Sequence, residues 1–98
     1  MKGGVVYILT NKNNTTLYVG VTSNLQSRLS MHLSNFYPAS FTSRYNLYKL
    51  VYYKSYSTIT EAIEIERRIK GWSRAKKDAL IDSVNPAWDD LGKEVLKW

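Results

Sequence analysis

A chain of 98 residues with 44% hydrophobic side chains, a formal net charge of +6 and no cysteine is long enough for one domain with a modest core. The missing cysteine excludes disulfides, thiolate zinc sites and cysteine nucleophiles, and the longest apolar run, Val5 to Leu9, is too short to span a bilayer. No signal-peptide apolar region opens the chain, so a soluble cytoplasmic protein is expected.

Val5 to Thr10, β-branched and aromatic, reads as a strand. Asn11-Lys12-Asn13-Asn14 reads as a turn, because Asn tolerates left-handed backbone and bonds its own main chain. Thr15 to Thr22 is the returning strand. A loop of residues 11 to 14 pairs Thr10 with Thr15 and sets Tyr7 directly opposite Tyr18, with both rings on one face. Ser23-Asn24-Leu25-Gln26 has the form of a capping box and starts a helix to about Leu33, with Leu25 and Leu29 as its buried stripe. His32 falls within about 20° of Leu25 around that helix and Arg28 about 60° away, so both lie on one edge of the buried face. Residues 34 to 46 form a long polar loop carrying Phe36, Tyr37, Phe41, Arg44 and Tyr45. Leu47 to Tyr56 is a third strand.

Thr58-Ile59-Thr60-Glu61 is a second capping box, and its helix runs to Lys70, where Gly71 stops it as a C′ glycine. Ser73 caps a third helix, which ends before Asn85-Pro86. The tail from Trp88 to Trp98 packs back or forms a short terminal helix. The order β-β-α-β-α-α predicts an α/β (α+β) fold over residues 1–98, a small, largely antiparallel three-stranded sheet flanked by helices in a single domain.

The charge is unevenly placed. Residues 1–60 hold no Asp or Glu against Lys2, Lys12, Arg28, Arg44, Lys49 and Lys54, whereas the remainder is formally neutral. A surface of one sign attracts a polyanion, and no amphipathic cationic helix points to a membrane instead. Nucleic acid is the expected partner.

Glu66 is the sharpest physical signal. On the helix from Ile59 to Lys70 it points into the arc filled by Ile59, Ala62, Ile63 and Ile69, while Glu61 and Glu64 point away. A buried carboxylate needs a cation, a strong hydrogen-bond partner or an opening to solvent. It is either an internal ion pair with Arg28 or a lysine, or a metal ligand at the floor of a cleft. Mg²⁺ keeps most of its waters and needs one or two protein carboxylates plus a substrate phosphate, so one ion on one glutamate fits a chain with no acid before residue 61. Zinc is excluded, since His32 is the lone histidine.

Tyr7, the Tyr18-Val19-Gly20 triplet, Arg28, His32 and Glu66, in this order, resemble the active site of the GIY-YIG endonuclease superfamily, and the likeness runs from Val5 to about Trp88. The resemblance implies metal-assisted cleavage of a DNA phosphodiester with Mg²⁺ (or Mn²⁺) on Glu66. One tyrosine would be the base, Tyr7 before Tyr18. Arg28 would clamp the phosphate through its fork of donors, and His32 would hold a tyrosine hydroxyl or relay a proton. Gly20 would let substrate backbone approach closely. The sequence departs from the family pattern in Val5, where the first triplet carries glycine, and in Val21, where some repair nucleases carry a basic residue. Asn85 either matches the family's late asparagine or caps the turn before Pro86.

The segment from Lys70 to Lys77, with Asn85-Pro86 and Trp88, resembles very small bacterial members of the superfamily related to the N-terminal nuclease domain of the excinuclease C subunit. Six of the fourteen basic residues lie between Arg67 and Lys77. Arg74, Lys76 and Lys77, with Arg44, would track phosphates without reading bases; otherwise the run is a helix junction with Trp72 in the core. The four loop aromatics would stack unpaired bases or close over the sheet edge. The expected function is structure-selective cleavage of single-stranded, flap or branched DNA in repair or processing, with specificity supplied in part by a protein partner. The rival is a non-catalytic nucleic-acid-binding domain or accessory subunit.

Overall fold

Strand β1 (Gly4–Thr10) is the centre of a three-stranded antiparallel sheet, flanked by β2 (Leu17–Thr22) and β3 (Lys49–Tyr56) in the order β2-β1-β3. The computed structural model describes residues 3–33 and 47–97, the side chains of 31–33 excepted. The expected loop of residues 34–46, with Phe36, Tyr37, Phe41, Arg44 and Tyr45, lies outside the described residues. Helix α1 (Leu25–Leu33) follows β2, and α2 (Ile59–Lys70), α3 (Arg74–Val84) and the short α4 (Gly92–Val95) follow β3.

All seven residues of β1 are buried, which explains a sequence that runs apolar without alternating. Val5, Tyr7 and Leu9 face one layer, built with Leu25 and Leu29 of α1 and Val95 of α4. Val6 and Ile8 face the other, against Ala62 and Ile69 of α2 and Ile81 of α3. The expected architecture is therefore present, with the chain tail adding α4. No described helix is long and apolar enough to cross a membrane.

The hairpin register differs from the expectation. Tyr7 is paired with Gly20, and Tyr18 with Leu9. The reason lies in Asn11, whose Oδ1 accepts from the backbone N–H of Thr15 at 2.8 Å and of Thr16 at 3.2 Å. Those two residues are drawn into the turn, and the loop is two residues longer than four. An even shift conserves side-chain parity, so Tyr7 and Tyr18 still share a face, as diagonal neighbours rather than as a direct pair.

Two helix ends also differ in detail. Asn24, not Ser23, caps α1, because its Oδ1 accepts from the Ser27 N–H at 3.0 Å; the Gln26 side chain instead donates to the Leu96 carbonyl at 3.1 Å. Gly71 follows α2 in right-handed backbone, φ −82°, so it is no left-handed stop. The turn into α3 is set by Ser73, whose hydroxyl accepts from the Lys76 N–H at 3.2 Å. Thr58 caps α2 as expected, accepting from the Glu61 N–H at 3.1 Å.

One amide helps to hold the tail against β3, beside the Leu91 N–H on the Leu50 carbonyl and the Leu50 N–H on Asp90 Oδ1. Buried Asn85 donates from Nδ2 to the carbonyls of Val51 at 3.0 Å and Asp89 at 2.9 Å, and its Oδ1 accepts from the Asp89 N–H at 3.1 Å. Of the two sequence readings, this is the turn cap, extended to grip the sheet. Asn85→Ala strands several buried polar groups, at about 1–3 kcal/mol each, so urea unfolding is expected to show a loss of about 3 kcal/mol. A change under about 0.5 kcal/mol, the range of neutral surface changes, would remove this anchoring role.

Candidate active site

The first part of the site is a cluster on the α1 side of the sheet. Tyr7 stands on the central strand with no exposed surface, opposite Gly20. A Cβ at position 20 would lie 2.5 Å from Tyr7 Cζ, 2.6 Å from its hydroxyl and 2.9 Å from Tyr18 Cε2. The glycine thus clears room for the two phenols. The sequence expectation gave that space to substrate backbone; the tyrosine rings fill it. Tyr18 is half-buried, its ring centroid 6.3 Å from that of Tyr7 and tilted by 47°.

Arg28, half-buried on α1 one turn after Leu25, completes this cluster. Burial pushes the Tyr7 hydroxyl well above the ordinary tyrosine range, and the neighbouring Tyr18 adds to the rise. The Arg28 guanidinium pulls the other way, by its charge and by hydrogen bonding, but desolvation wins. Tyr7 is therefore a protonated hydroxyl near neutrality. Gly20→Ala drives a methyl into a packed aromatic pair, so thermal unfolding is expected to show a loss of about 1–3 kcal/mol, with the ring resonances of Tyr7 and Tyr18 shifted. Unchanged stability and ring signals would show that the pair yields to the methyl.

The second part is Glu66 on α2, 9% exposed. Its Oε2 lies 2.9 Å from Nζ of Lys70, one turn further on, whose side chain is 52% exposed. Of the sequence alternatives, the lysine pair is present, and its lysine reaches in from solvent. The carboxylate is thus already presented to a cation at an opening. Among the described residues no group of three or more His, Cys, Asp or Glu converges, so an ion at this place would have Glu66 as its protein carboxylate. That donor set suits a hard, largely hydrated ion such as Mg²⁺ or Mn²⁺ and not zinc, which wants nitrogen or sulfur ligands.

At the outer edge of β2 lie one member of the first part and the lysine partner of the second. There Leu17, Tyr18 and Val19 line a cavity of about 360 Å³ together with Lys70 and Lys77. Tyr18 belongs to the face of Tyr7, and Lys70 is the partner of Glu66 on the opposite layer. Helix α2 packs across both β1 and β2, which brings its last turn beside this edge.

The remaining expected residues divide. The backbone of His32 lies on α1 one turn after Arg28, with its side chain outside the described residues; Arg44 is outside them altogether. Arg74 is committed within the protein. Its Nε is 2.7 Å from Asp78 Oδ1, Nη1 donates to the Thr15 carbonyl at 2.9 Å and Nη2 to that of Asn14. It thereby ties α3 to the β1–β2 turn. Lys76 lies 4.4 Å from the Trp72 ring centroid, a cation–π contact. Asn85 is the sheet anchor described above. Sequence reading missed Lys70 as part of the site, although its i, i+4 spacing from Glu66 was a usable signal. It also missed Leu17, which carried none, and gave Val19 no role beyond its place in the triplet.

The family model of the GIY-YIG catalytic domain matches residues 3–78. The chain is similar to the UPF0213 protein of Bacillus pumilus, 38% identical over 69 residues that cover 70% of this chain and 69% of that protein. It is also similar to the UPF0213 protein of Syntrophus aciditrophicus, 37% identical over 81 residues, 83% of this chain and 92% of the relative. The solution NMR structure of a UPF0213 protein from Bacillus halodurans superposes with a TM-score of 0.58 at 27% identity, covering 93% of this chain and 95% of the other.

Proposed function

The chain belongs to the GIY-YIG catalytic-domain family, a family of nucleases, and on that premise we propose that it is a metal-dependent DNA endonuclease that selects its substrate by shape and acts in DNA repair or processing. The observation that carries this reading is the cluster of Tyr7, Tyr18 and Arg28 on one side of the sheet, in a chain whose Glu66 is buried on α2 with a lysine reaching it from solvent.

Each side chain has a role that its surroundings favour. Tyr18 is the base, because it is half-exposed at the cavity while Tyr7 is sealed and holds its proton. Tyr7 acts by position, its hydroxyl set between Arg28 and Tyr18. Arg28 clamps the non-bridging phosphate oxygens, and His32 relays a proton or holds a tyrosine hydroxyl. Glu66 holds Mg²⁺ or Mn²⁺, which when bound lowers the pKa of its water and offsets phosphate charge. The basic side chains Lys76, which rests over the Trp72 ring, and Lys77 supply contacts to the backbone of DNA, and Arg74 shapes the β1–β2 turn. A protein partner adds specificity where shape alone does not discriminate.

The test is cleavage of labelled single-stranded, duplex and branched DNA with Mg²⁺, with Mn²⁺ and with chelator. Cuts with either metal and none with chelator are expected. Tight binding without cutting under any condition would transfer the domain to the non-catalytic reading.

A further inference from the structure

The proposed chemistry of the scissile phosphate leaves most of the β2-edge cavity without a role. Its volume of about 360 Å³ is at the small end of ligand sites, roughly 300–1,000 Å³, which suits a single monomer unit and not a stacked duplex. One wall is apolar, from the edge-strand segment Leu17, Tyr18 and Val19; the other carries Lys70 at the end of α2 and Lys77 on α3.

The two lysines differ. Lys70 is held by Glu66 at 2.9 Å, whereas half-buried Lys77 has no ion pair to any described residue. Among the described residues no acidic side chain lines the cavity; its link to a carboxylate is the Lys70–Glu66 pair. An uncommitted ammonium set opposite an apolar wall matches a ligand with a flat, weakly polar ring and an adjacent anion. A nucleotide has that chemistry, since every base has a stacking face and every link a phosphate.

We propose that this cavity is a nucleotide subsite that takes one unstacked nucleotide of a single strand, its base against the apolar edge formed by Leu17 and Val19 and its phosphate on Lys77. The inference rests on the nuclease reading and gives it a substrate class. Since Tyr18 belongs both to the cavity and to the tyrosine–arginine cluster, the nucleotide held here adjoins the scissile bond. Duplex DNA is disfavoured because its bases must first be unpaired and unstacked to enter.

The test is a titration of isotope-labelled protein in chelator, where nothing is cut, with a short oligothymidylate and with a duplex of equal length. Amide signals of Leu17, Val19 and Lys77 are expected to shift with the oligothymidylate and not with the duplex. Lys77→Ala is expected to weaken single-strand binding about tenfold and to lower the salt slope by about 0.7. Leu17→Glu, at a half-buried edge position, is expected to weaken it as well, with the circular dichroism unchanged. Equal binding of the duplex, or full affinity of Lys77→Ala, overturns the subsite. Single-strand cleavage in Mg²⁺ without shifts at these positions removes the subsite and leaves the nuclease. Shifts at these positions without cleavage uphold the subsite and sink the nuclease reading.

Discussion

Glu66→Gln is expected to abolish cleavage while the protein stays folded. The amide conserves size and hydrogen-bonding capacity but removes the charge that an ion needs. Bound metal contributes several kcal/mol of charge stabilisation and water activation. At 1.36 kcal/mol per factor of ten, the single-turnover rate should fall by about three orders of magnitude or more. Stability should hold, because Lys70 is half-exposed and turns to water when its partner is neutral, and a buried charge is costly to keep. Rate in Mg²⁺, Mn²⁺ binding by water-proton relaxation, and thermal unfolding are the three readouts. A wild-type rate, or Mn²⁺ bound as tightly as before, would remove Glu66 as the metal ligand.

Tyr18→Phe is expected to have the next largest effect. Loss of a general base costs about 10²–10⁴ in rate, while DNA affinity, set mainly by phosphate contacts, should scarcely change. Arg28→Ala should show the same split. Tyr7→Phe should also lower the rate more than it weakens binding, because its hydroxyl sits between Arg28 and Tyr18. Its loss should be smaller than that of Tyr18→Phe if Tyr18 is the base. The reverse order in single-turnover assays would return the base to Tyr7. Tyr7 has a second signature in stability. The folded protein holds its proton more tightly than the unfolded chain, whose tyrosine titrates near pH 10.0. Its contribution is complete below that pH and is lost as pH rises into the alkaline range, so Tyr7→Phe should flatten alkaline unfolding.

The elements were legible because each carried its own local chemistry. The β-branched run of β1, the Thr58 and Ser73 caps and the proline after Asn85 specify strands, starts and a stop without tertiary help. Glu66 was legible for a related reason. A carboxylate in an apolar helical stripe is an inconsistency that periodicity alone exposes, and the structure buries it as expected. The tyrosine pair was half legible, since the shared face follows from parity but the partner of Tyr7 does not.

What tertiary structure decided concerns reach across space and competition for donors. Asn11 captured two N–H groups and moved the register by two, which placed Gly20 under Tyr7. Arg74 reads as a DNA contact in the sequence, yet its guanidinium is spent on Asp78 and on the carbonyls of Asn14 and Thr15, some sixty residues away. The burial that keeps Tyr7 protonated comes from α1, Leu47, Leu50 and Val95 closing over one face of the sheet. The cavity beside Tyr18 exists because the last turn of α2 and the first of α3 meet the outer edge of β2. The sequence by itself determined which residue types were present and on which face of each element they fall, because dihedral preference and side-chain period are local. Which of those groups were left uncommitted, and which met at one cavity, was decided by packing between elements distant in the chain.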